Sequence, residues 1–442
     1  MAHDLDLTQG SVRKQLIRYA LPLVTTSVMQ GLYSIIDIII AGQFIGKEAV
    51  SAINNSSQIM GLLTQIAIGF TLGGNILIGQ YFGSKDDEGR KQATGTLFVL
   101  SMVLGLIISV WLYFSSESLL TMLGAPALNK AVSYLKICSV GYVFILGYNG
   151  LSATLRGVGN SRVPLRCITV ATIINIILDI FFVMVLHKGV EGLALATLIA
   201  QIVSYTMALL YLIKARDYFG FYMINLRIRA SKCRKICQLG VPCMLQWTIA
   251  SLSWLVVTYF VNQYGVDVSA GNGISIKIKD FCQLFISAMS GGASTMIAQT
   301  LGAQMYDRAK EVMYEAMKIT VGLALIIIVI VELAAPLITS VFTTDASVAD
   351  AAVLNLRIEI IGQAFYASFL IYHSLMTGAG HTWIVMGSSF VNCILFRVVL
   401  VIILNYYFGI MGVYLGCMIA PSSSIPIGWI YTKSNIWRRK IV

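Results

Sequence analysis

Twelve apolar runs, each about 20 residues or longer, occupy almost all of this 442-residue chain. An apolar helix of about 20 residues spans the ~30 Å hydrocarbon core of a bilayer. The runs cover residues 16–45, 50–80, 92–114, 131–155, 164–187, 191–214, 237–264, 274–303, 314–340, 351–378, 382–408 and 411–434. Because 57% of the residues are hydrophobic and only 12% are charged, little remains for a soluble domain. We therefore predict an all-α polytopic membrane protein with twelve transmembrane helices.

Four short motifs occur twice in the same order, with offsets of 219 to 221 residues. The matched positions are Pro22 and Pro242, Gly83 and Gly302, Gly157 and Gly378, and Gly192 and Gly412. This order and spacing indicate two homologous halves of six spans, an organisation common among membrane transporters. Since six is even, both halves have the same orientation and form parallel six-helix bundles. The predicted domains are an N-lobe over 1–213, a cytoplasmic basic linker over 214–236 and a C-lobe over 237–442.

The net charge of +11 is distributed unevenly among the connections between the spans. One side of the predicted membrane receives 23 Lys and Arg residues and the other receives three, Lys47, Lys130 and Lys188. By the positive-inside rule, both termini are expected to be cytoplasmic in a multi-pass protein of the cell membrane. The basic charge therefore reflects topology and contact with anionic lipid head groups, and we predict no nucleic-acid partner. We expect a monomer.

The sequence lacks the usual signatures of catalysis and of nucleotide binding. Residues 42–48 only loosely resemble a phosphate loop, because the spacing is short and Glu48 replaces the Ser or Thr that would hold magnesium. There is no nucleophilic triad, paired metal-binding histidines or haem motif. We therefore predict that the protein is not an enzyme and needs neither cofactor nor metal. Any uphill movement must then use an ion gradient or the membrane potential.

Two acidic residues lie inside predicted spans of the first half at similar depth. Asp37 and Asp179 are each about eight residues, or ~12 Å, from the outer ends of their spans, and Thr197 is ~9 Å deep in the sixth. Asn175 shares a helical face with Asp179. These carboxylate, amide and hydroxyl oxygens suit a cation, and two nearby carboxylates also suit a proton. We predict a cation-coupling site here; the alternative is packing, or an ion pair with Lys136.

Polar residues on the same helical faces are candidates for binding a transported molecule. Gln30 and Tyr33 form a stripe with Asp37, Thr172 shares the face of Asn175, and Gln201 follows Thr197 by one turn. Asn149 in the fourth span completes the predicted substrate-binding set. Pro22 interrupts the hydrogen bonding of the first span, and we predict either a helix hinge or a static kink there.

The second half carries a different set of intramembrane charges, four positive and three negative. They are Lys277, Lys279, Asp280, Glu332, Arg357, Glu359 and Arg397. A nearly balanced set favours ion pairs between helices, with a structural or gating role. Asp280, Glu359 and Lys277 are the second-choice residues for coupling or gating.

The chain resembles the multidrug and toxic compound extrusion (MATE) transporters, nearest their prokaryotic DinF-like branch. The resemblance extends over the whole chain. It rests on Pro22, Gln30, Tyr33 and Asp37, on Gly79-Gln80-Tyr81-Phe82-Gly83, on Leu155-Arg156-Gly157-Val158-Gly159-Asn160 with Pro164, on Asn175 and Asp179, and on Gly189-Val190-Glu191-Gly192 with Ala196-Thr197.

The resemblance implies two six-helix bundles and export of amphipathic, often cationic compounds in exchange for H+ or Na+. It implies a cation site at Asp37, Asn175, Asp179 and Thr197, and substrate contact at Gln30 and Tyr33. The seventh span, 239–263, departs from branches that carry a coupling Glu there, because it contains no acid. The alternatives are a lipid-linked oligosaccharide flippase of the same superfamily or, in another class, an ion channel. The oxygen ligands do not distinguish sodium from a proton.

Overall fold

The computed structural model describes residues 6–125, 127–222, 226–343 and 345–438, without the side chains of residues 33–35 and 47. Within these ranges all regular secondary structure is helical.

The first half contains seven α-helices, two of which continue into a π-helical turn. They are α1 (Val12–Ile40) with its turn Ala41–Ile45, α2 (Lys47–Gly83), α3 (Asp87–Met122), α4 (Leu128–Gly157), α5 (Arg162–Ile180) with its turn Phe181–Val185, α6 (Gly189–Lys214) and the short α7 (Arg216–Phe219).

The second half contains nine α-helices and a longer π-helical segment. They are α8 (Ala230–Asn262), α9 (Val266–Gly302), α10 (Tyr306–Ser340), α11 (Ala346–Ile361), α12 (Gln363–Gly378), α13 (Thr382–Phe390), the π segment Val391–Val398, α14 (Val399–Phe408), α15 (Ile410–Ile419) and α16 (Ser424–Ser434).

Eleven continuous helical stretches of the described chain are long and apolar enough to cross a membrane. The remaining predicted span, 351–378, is divided at Gly362 into α11 and α12, each of 16 residues. A Cβ atom at Gly362 would lie 2.9 Å from the backbone oxygen of Met418 in α15. The break therefore coincides with a close approach of α15 that only a glycine permits.

The duplication seen in the sequence also appears in the backbone conformation. Lys85 and Gln304, which occupy matched positions after α2 and α9, both have positive φ, at 58° and 61°. Residues other than glycine rarely adopt the left-handed conformation, so its recurrence at two matched positions supports the duplication. Three glycine pairs repeat the pattern at other helix ends, namely Gly46 and Gly265, Gly159 and Gly380, and Gly189 and Gly409.

Two compact units divide the chain, and the first helix of each half is shared between them. One unit contains Pro22–Met244, and the other contains Leu7–Leu21 together with the chain from Leu245 onward. The beginning of α1 thus belongs to the second unit, and the beginning of α8 belongs to the first. Both exchanges occur at or near the repeated prolines, Pro22 and Pro242. The predicted lobe boundaries, 1–213 and 237–442, stay predictions.

Glycines allow the start of α8 to pack closely within the first unit and the start of α1 within the second. In the first unit, a Cβ on Gly73 of α2 would lie 2.5 Å from the backbone nitrogen of Gly240 in α8. In the second unit, the matched Gly292 of α9 faces Ala20 of α1, with 3.4 Å between the two Cβ positions. The same helix–helix contact is therefore made twice, once in each unit, and small residues at the crossing are what permit it.

Candidate functional site: a carboxyl pair bridged by an amide

The first unit brings Asp37 of α1 and Asp179 of α5 together around one asparagine. The side-chain nitrogen of Asn175, in the orientation that satisfies its surroundings, donates to Oδ1 of Asp37 at 3.2 Å and to Oδ2 of Asp179 at 3.1 Å. The two carboxyl groups also interact with each other. Asp37 is 4% exposed, and Asn175 and Asp179 are fully buried. Two acids from helices far apart in sequence thus share one buried hydrogen-bonding group.

The pattern of residues along α5 explains why its polar side chains face inward. Thr172, Asn175 and Asp179 lie on one face and are buried, whereas Ile173 and Ile177 are exposed on another. In a bilayer, exposed aliphatic side chains face lipid and polar ones face the helix bundle. The spacing of three and four residues therefore fixes the direction in which Asn175 and Asp179 project.

A π-helical turn follows each acidic residue. Gly46 donates its backbone N–H to Ala41 at 2.9 Å at the end of α1, and Leu186 donates to Phe181 at 3.1 Å at the end of α5. The turns begin four residues after Asp37 and two after Asp179, and they contact each other. Such wide turns occur often at functional sites and let a helix continue with a changed direction.

An apolar cluster surrounds the chain segments that follow the two acids. Its buried members are Ile40, Ala41, Ala49, Ile53, Tyr134, Cys138, Val183, Val190, Leu193 and Ala194. Cys138 is close enough to Asp37 to interact with it electrostatically. Apolar walls lower the local dielectric and strengthen the interaction of the carboxyl groups with any cation between them.

The other predicted site residues of the first half differ in how deeply they are buried. Thr197 is buried and lies one turn after Leu193, a member of the apolar cluster on α6. Gln201 is half-buried one turn further along the same helix. Asn149 is half-buried, and its amide donates to the backbone oxygen of Ile145, 2.9 Å away. Gln30 is exposed.

Three further predictions concern the neighbourhood of α1. The side chain of Tyr33 lies outside the described residues. Pro22 lies inside α1, where its backbone oxygen accepts a hydrogen bond of 2.8 Å from the hydroxyl of Thr26. The alternative in which Lys136 neutralises an acid gains no support, because Lys136 forms no salt bridge among the described residues. Its ammonium nitrogen lies 5.8 Å from the ring centre of Tyr113.

A family model described as MatE matches residues 22–181 and 242–406, which is one match in each half. The chain belongs to the MatE family. This is a family of membrane transporters, so the predicted twelve-helix fold and multi-pass membrane location are confirmed at that level. The two matched stretches contain Asp37, Asn175 and Asp179 in the first half and Arg397 in the second.

Curated relatives extend over nearly the full length of the MatE chain. The probable multidrug resistance protein YoeA of Bacillus subtilis is 25% identical over 98% of this chain and 96% of its own. The multidrug export protein MepA of Staphylococcus haemolyticus is 25% identical over 94% of this chain and 92% of its own.

Solved structures share the fold. An outward-facing multidrug resistance MATE family transporter of the MOP superfamily superimposes with a TM-score of 0.91 at 21% identity, covering 99% of this chain and 98% of that one. A MOP superfamily transporter from Pyrococcus furiosus, described by the reverse polarity of its binding pocket, gives a TM-score of 0.90 at 21% identity, with 98% of both chains covered.

The second half of this MatE chain contains ion pairs where the sequence suggested them. Lys279 of α9 pairs with Glu359 of α11, and both are buried. The Nε atom of Arg357 lies 3.8 Å from Oε2 of Glu332, and both side chains are partly exposed. Asp280 is exposed next to the lysines of its own helix. The coupling or gating roles of Asp280, Glu359 and Lys277 stay predictions.

Sequence reasoning missed several residues at these sites. It did not find Cys138 near Asp37, Tyr134 in the adjoining apolar cluster, the π-helical turns, or Trp254, whose ring lies near two basic side chains of the second half. A Trp in a helix that lacks acids is a weak signal by itself. The π turns leave no short motif, because they depend on the contacts of the folded chain.

Proposed function

We propose that the protein is a secondary-active antiporter that exports amphipathic, often cationic compounds in exchange for H+ or Na+. The observation that carries the proposal is the buried pair Asp37 and Asp179 bridged by Asn175. Two carboxyl groups that share a site bind one small cation strongly and release it when their surroundings open to water. The names of the curated relatives, multidrug resistance and multidrug export proteins, support the substrate class.

Rotation of the Asn175 amide would convert the empty site into one that can bind a cation. With its nitrogen toward the acids, it donates to both carboxyl groups and partly offsets their repulsion. When the amide rotates by half a turn, its oxygen takes the place of the nitrogen about 3 Å from each acid. Three oxygens then surround one point, which is a suitable partial ligand set for Na+, with Thr197 as the proposed fourth donor.

Coupling requires that the charge of the site change the conformation of the chain. The exchange of α1 between the compact units at Pro22 supports a hinge there, because proline removes one helical hydrogen bond. In the proposed cycle, a cation enters from outside and occupies the pair, α1 bends at Pro22, and substrate leaves outward by alternating access. Gln30, Tyr33, Thr172, Gln201 and Asn149 are the proposed substrate contacts. We propose that both termini lie in the cytoplasm, as the positive-inside rule predicts.

The decisive experiment measures efflux of a cationic dye from proteoliposomes under separately imposed sodium and pH gradients. Asp37→Asn preserves the shape of the side chain and removes its charge. We expect it to abolish gradient-driven concentration of the dye while leaving purification and the gel-filtration profile intact. Wild-type uphill efflux by this variant would exclude the assignment.

The control is Glu117→Gln, which removes an exposed acid in α3 and should leave efflux unchanged. Dye flux that dissipates a gradient but never builds one would instead favour a channel. The gradient that drives wild-type efflux identifies the coupling ion.

A further inference from the structure

The second unit contains a cluster in which the ring of one half-buried tryptophan lies close to two buried basic side chains. The guanidinium carbon of Arg397 lies 4.6 Å from the ring centre of Trp254, and the ammonium nitrogen of Lys279 lies 4.9 Å from it. The three residues come from the π segment, α8 and α9. An aromatic face stabilises a nearby cation, but it does not neutralise its charge.

The buried charges of this cluster do not balance. Lys279 is neutralised by Glu359, and both are at most 5% exposed. Arg397 is only 8% exposed and forms no salt bridge among the described residues. Asp280 is exposed, and its electrostatic partners are Lys279 and Lys277. The cluster therefore retains one positive charge.

Arg397 also has hydrogen-bond donors without acceptors. Its Nε and Nη1 atoms are buried and find no partner in the described structure, and the side-chain oxygen of Asn392 is likewise unpartnered. Asn392 and Arg397 are five residues apart in the π segment, so they lie on neighbouring turns. An isolated charge inside a membrane protein is unfavourable unless an opposite charge accompanies it.

We propose that Arg397 binds a small monovalent anion, a halide or a carboxylate, within the second unit. The anion accepts hydrogen bonds from the guanidinium group and supplies the missing negative charge. The ring of Trp254 stabilises the guanidinium group through the cation–π contact. The second unit thus binds a charge of opposite sign to that proposed for the Asp37 site.

Direct localisation tests the proposal on the wild-type protein. Crystals grown in sodium bromide are measured at the bromine absorption edge. We expect an anomalous peak within about 3.5 Å of a guanidinium nitrogen of Arg397, the distance of a charge-assisted hydrogen bond to a large anion. The absence of such a peak, while bromide is located elsewhere in the crystal, would overturn the proposal.

Thermal unfolding in detergent gives an independent measurement in solution. We expect sodium chloride, bromide or acetate to raise the melting temperature of the wild type by about 2 °C over sodium gluconate at equal ionic strength. If acetate raises the melting temperature at a tenfold lower concentration than chloride, the bound anion is a carboxylate of a substrate. If chloride acts at the lower concentration, the bound anion is a free halide. Arg397→Gln should lose the shift, and an unchanged shift in this variant would also overturn the proposal.

The matched control is Arg357→Gln, which removes a partly exposed arginine of the same unit and should keep the anion effect. Arg397→Lys retains the charge but has fewer donors, so it should keep a weaker shift. Both measurements report binding alone, so their outcome does not depend on the direction or coupling ion of transport.

Discussion

The amide nitrogen of Asn175 lies 3.1 Å from a carboxylate oxygen of Asp179, which is about one helical turn further along α5. The same amide lies 3.2 Å from Asp37, which belongs to a different helix. Asn175 therefore connects two helices through a single side chain, and replacing it should weaken the packing of both α1 and α5.

Replacing Asn175 with Leu should destabilise the protein by about 2 kcal/mol, because it leaves two buried carboxyl groups without their shared donor. The free energy of unfolding can be measured by titration with a denaturing detergent. Combining Asn175→Leu with Asp37→Asn should cost less than the sum of the two single changes. Asn149→Leu is the control, since in the described residues its amide donates to the backbone of its own helix. Equal losses for Asn149 and Asn175 would contradict the bridge.

Replacing Gly240 with Ala should destabilise the protein by about 2 kcal/mol, because the new Cβ would lie 2.5 Å from the backbone oxygen of Phe70. The change should also shift the melting temperature of purified protein downward. Gly61→Ala is the matched control in α2, where no atom lies within 4 Å of the added carbon. That variant should be neutral or slightly stabilising, because alanine favours helix more than glycine does. Similar losses in both variants would argue against the close crossing.

Replacing Lys279 with Met should destabilise the protein by about 3 kcal/mol, because Glu359 is left as a buried unpaired charge. The double variant Lys279→Met with Glu359→Leu should recover at least half of the loss. Arg357→Met removes a partner from the exposed pair and should cost less than about 1 kcal/mol. Denaturing-detergent titration of all three variants checks this order.

Asp345 should stabilise the start of α11 at neutral pH but not at low pH. Hydrogen bonds from the Ser347 hydroxyl and from the N–H groups of Val348 and Ser347 lower the pKa of the Asp345 carboxyl. A lowered pKa means that the stabilisation is present above the ordinary carboxyl pKa, about 4, and is lost as pH falls through the lower value in the folded protein.

The melting temperature of Asp345→Ala should therefore lie below that of the wild type at pH 7, and the difference should shrink as pH falls below about 4. Asp350→Ala removes another exposed acid of α11 and serves as the control. A difference between Asp345→Ala and wild type that stays constant with pH would show that the ionised cap is not its source.

Regular features of the fold followed from the sequence because they depend on composition and local spacing. Apolar length predicted the spans, and the repeated motifs predicted two halves. The interval between Asn175 and Asp179 placed them on one face of α5. The proximity of Asp37 was also expected, although only from the similar depth of the two acids in their spans.

Other features depend on contacts between distant segments and could not be read from the sequence. The break of the span 351–378 at Gly362 coincides with the approach of Met418. Trp254 and Arg397 meet although more than 140 residues separate them. The intramembrane charges of the second half were nearly balanced when counted along the chain, so the count did not reveal that Arg397 lacks a salt bridge among the described residues. The division of α1 and of α8 between the two compact units could not be predicted either, because in the sequence each helix looks like an ordinary first helix of its own half.

The crossing of α1 and α8 between the compact units has a consequence for the origin of the molecule. A half-length ancestor with the same helices could not have satisfied these contacts alone, since the start of its first helix packs on the second helix of the other copy. Two such chains would have exchanged those segments in a symmetric dimer. Separately expressed halves should therefore be able to reassemble only if each supplies the start of its first helix to the other.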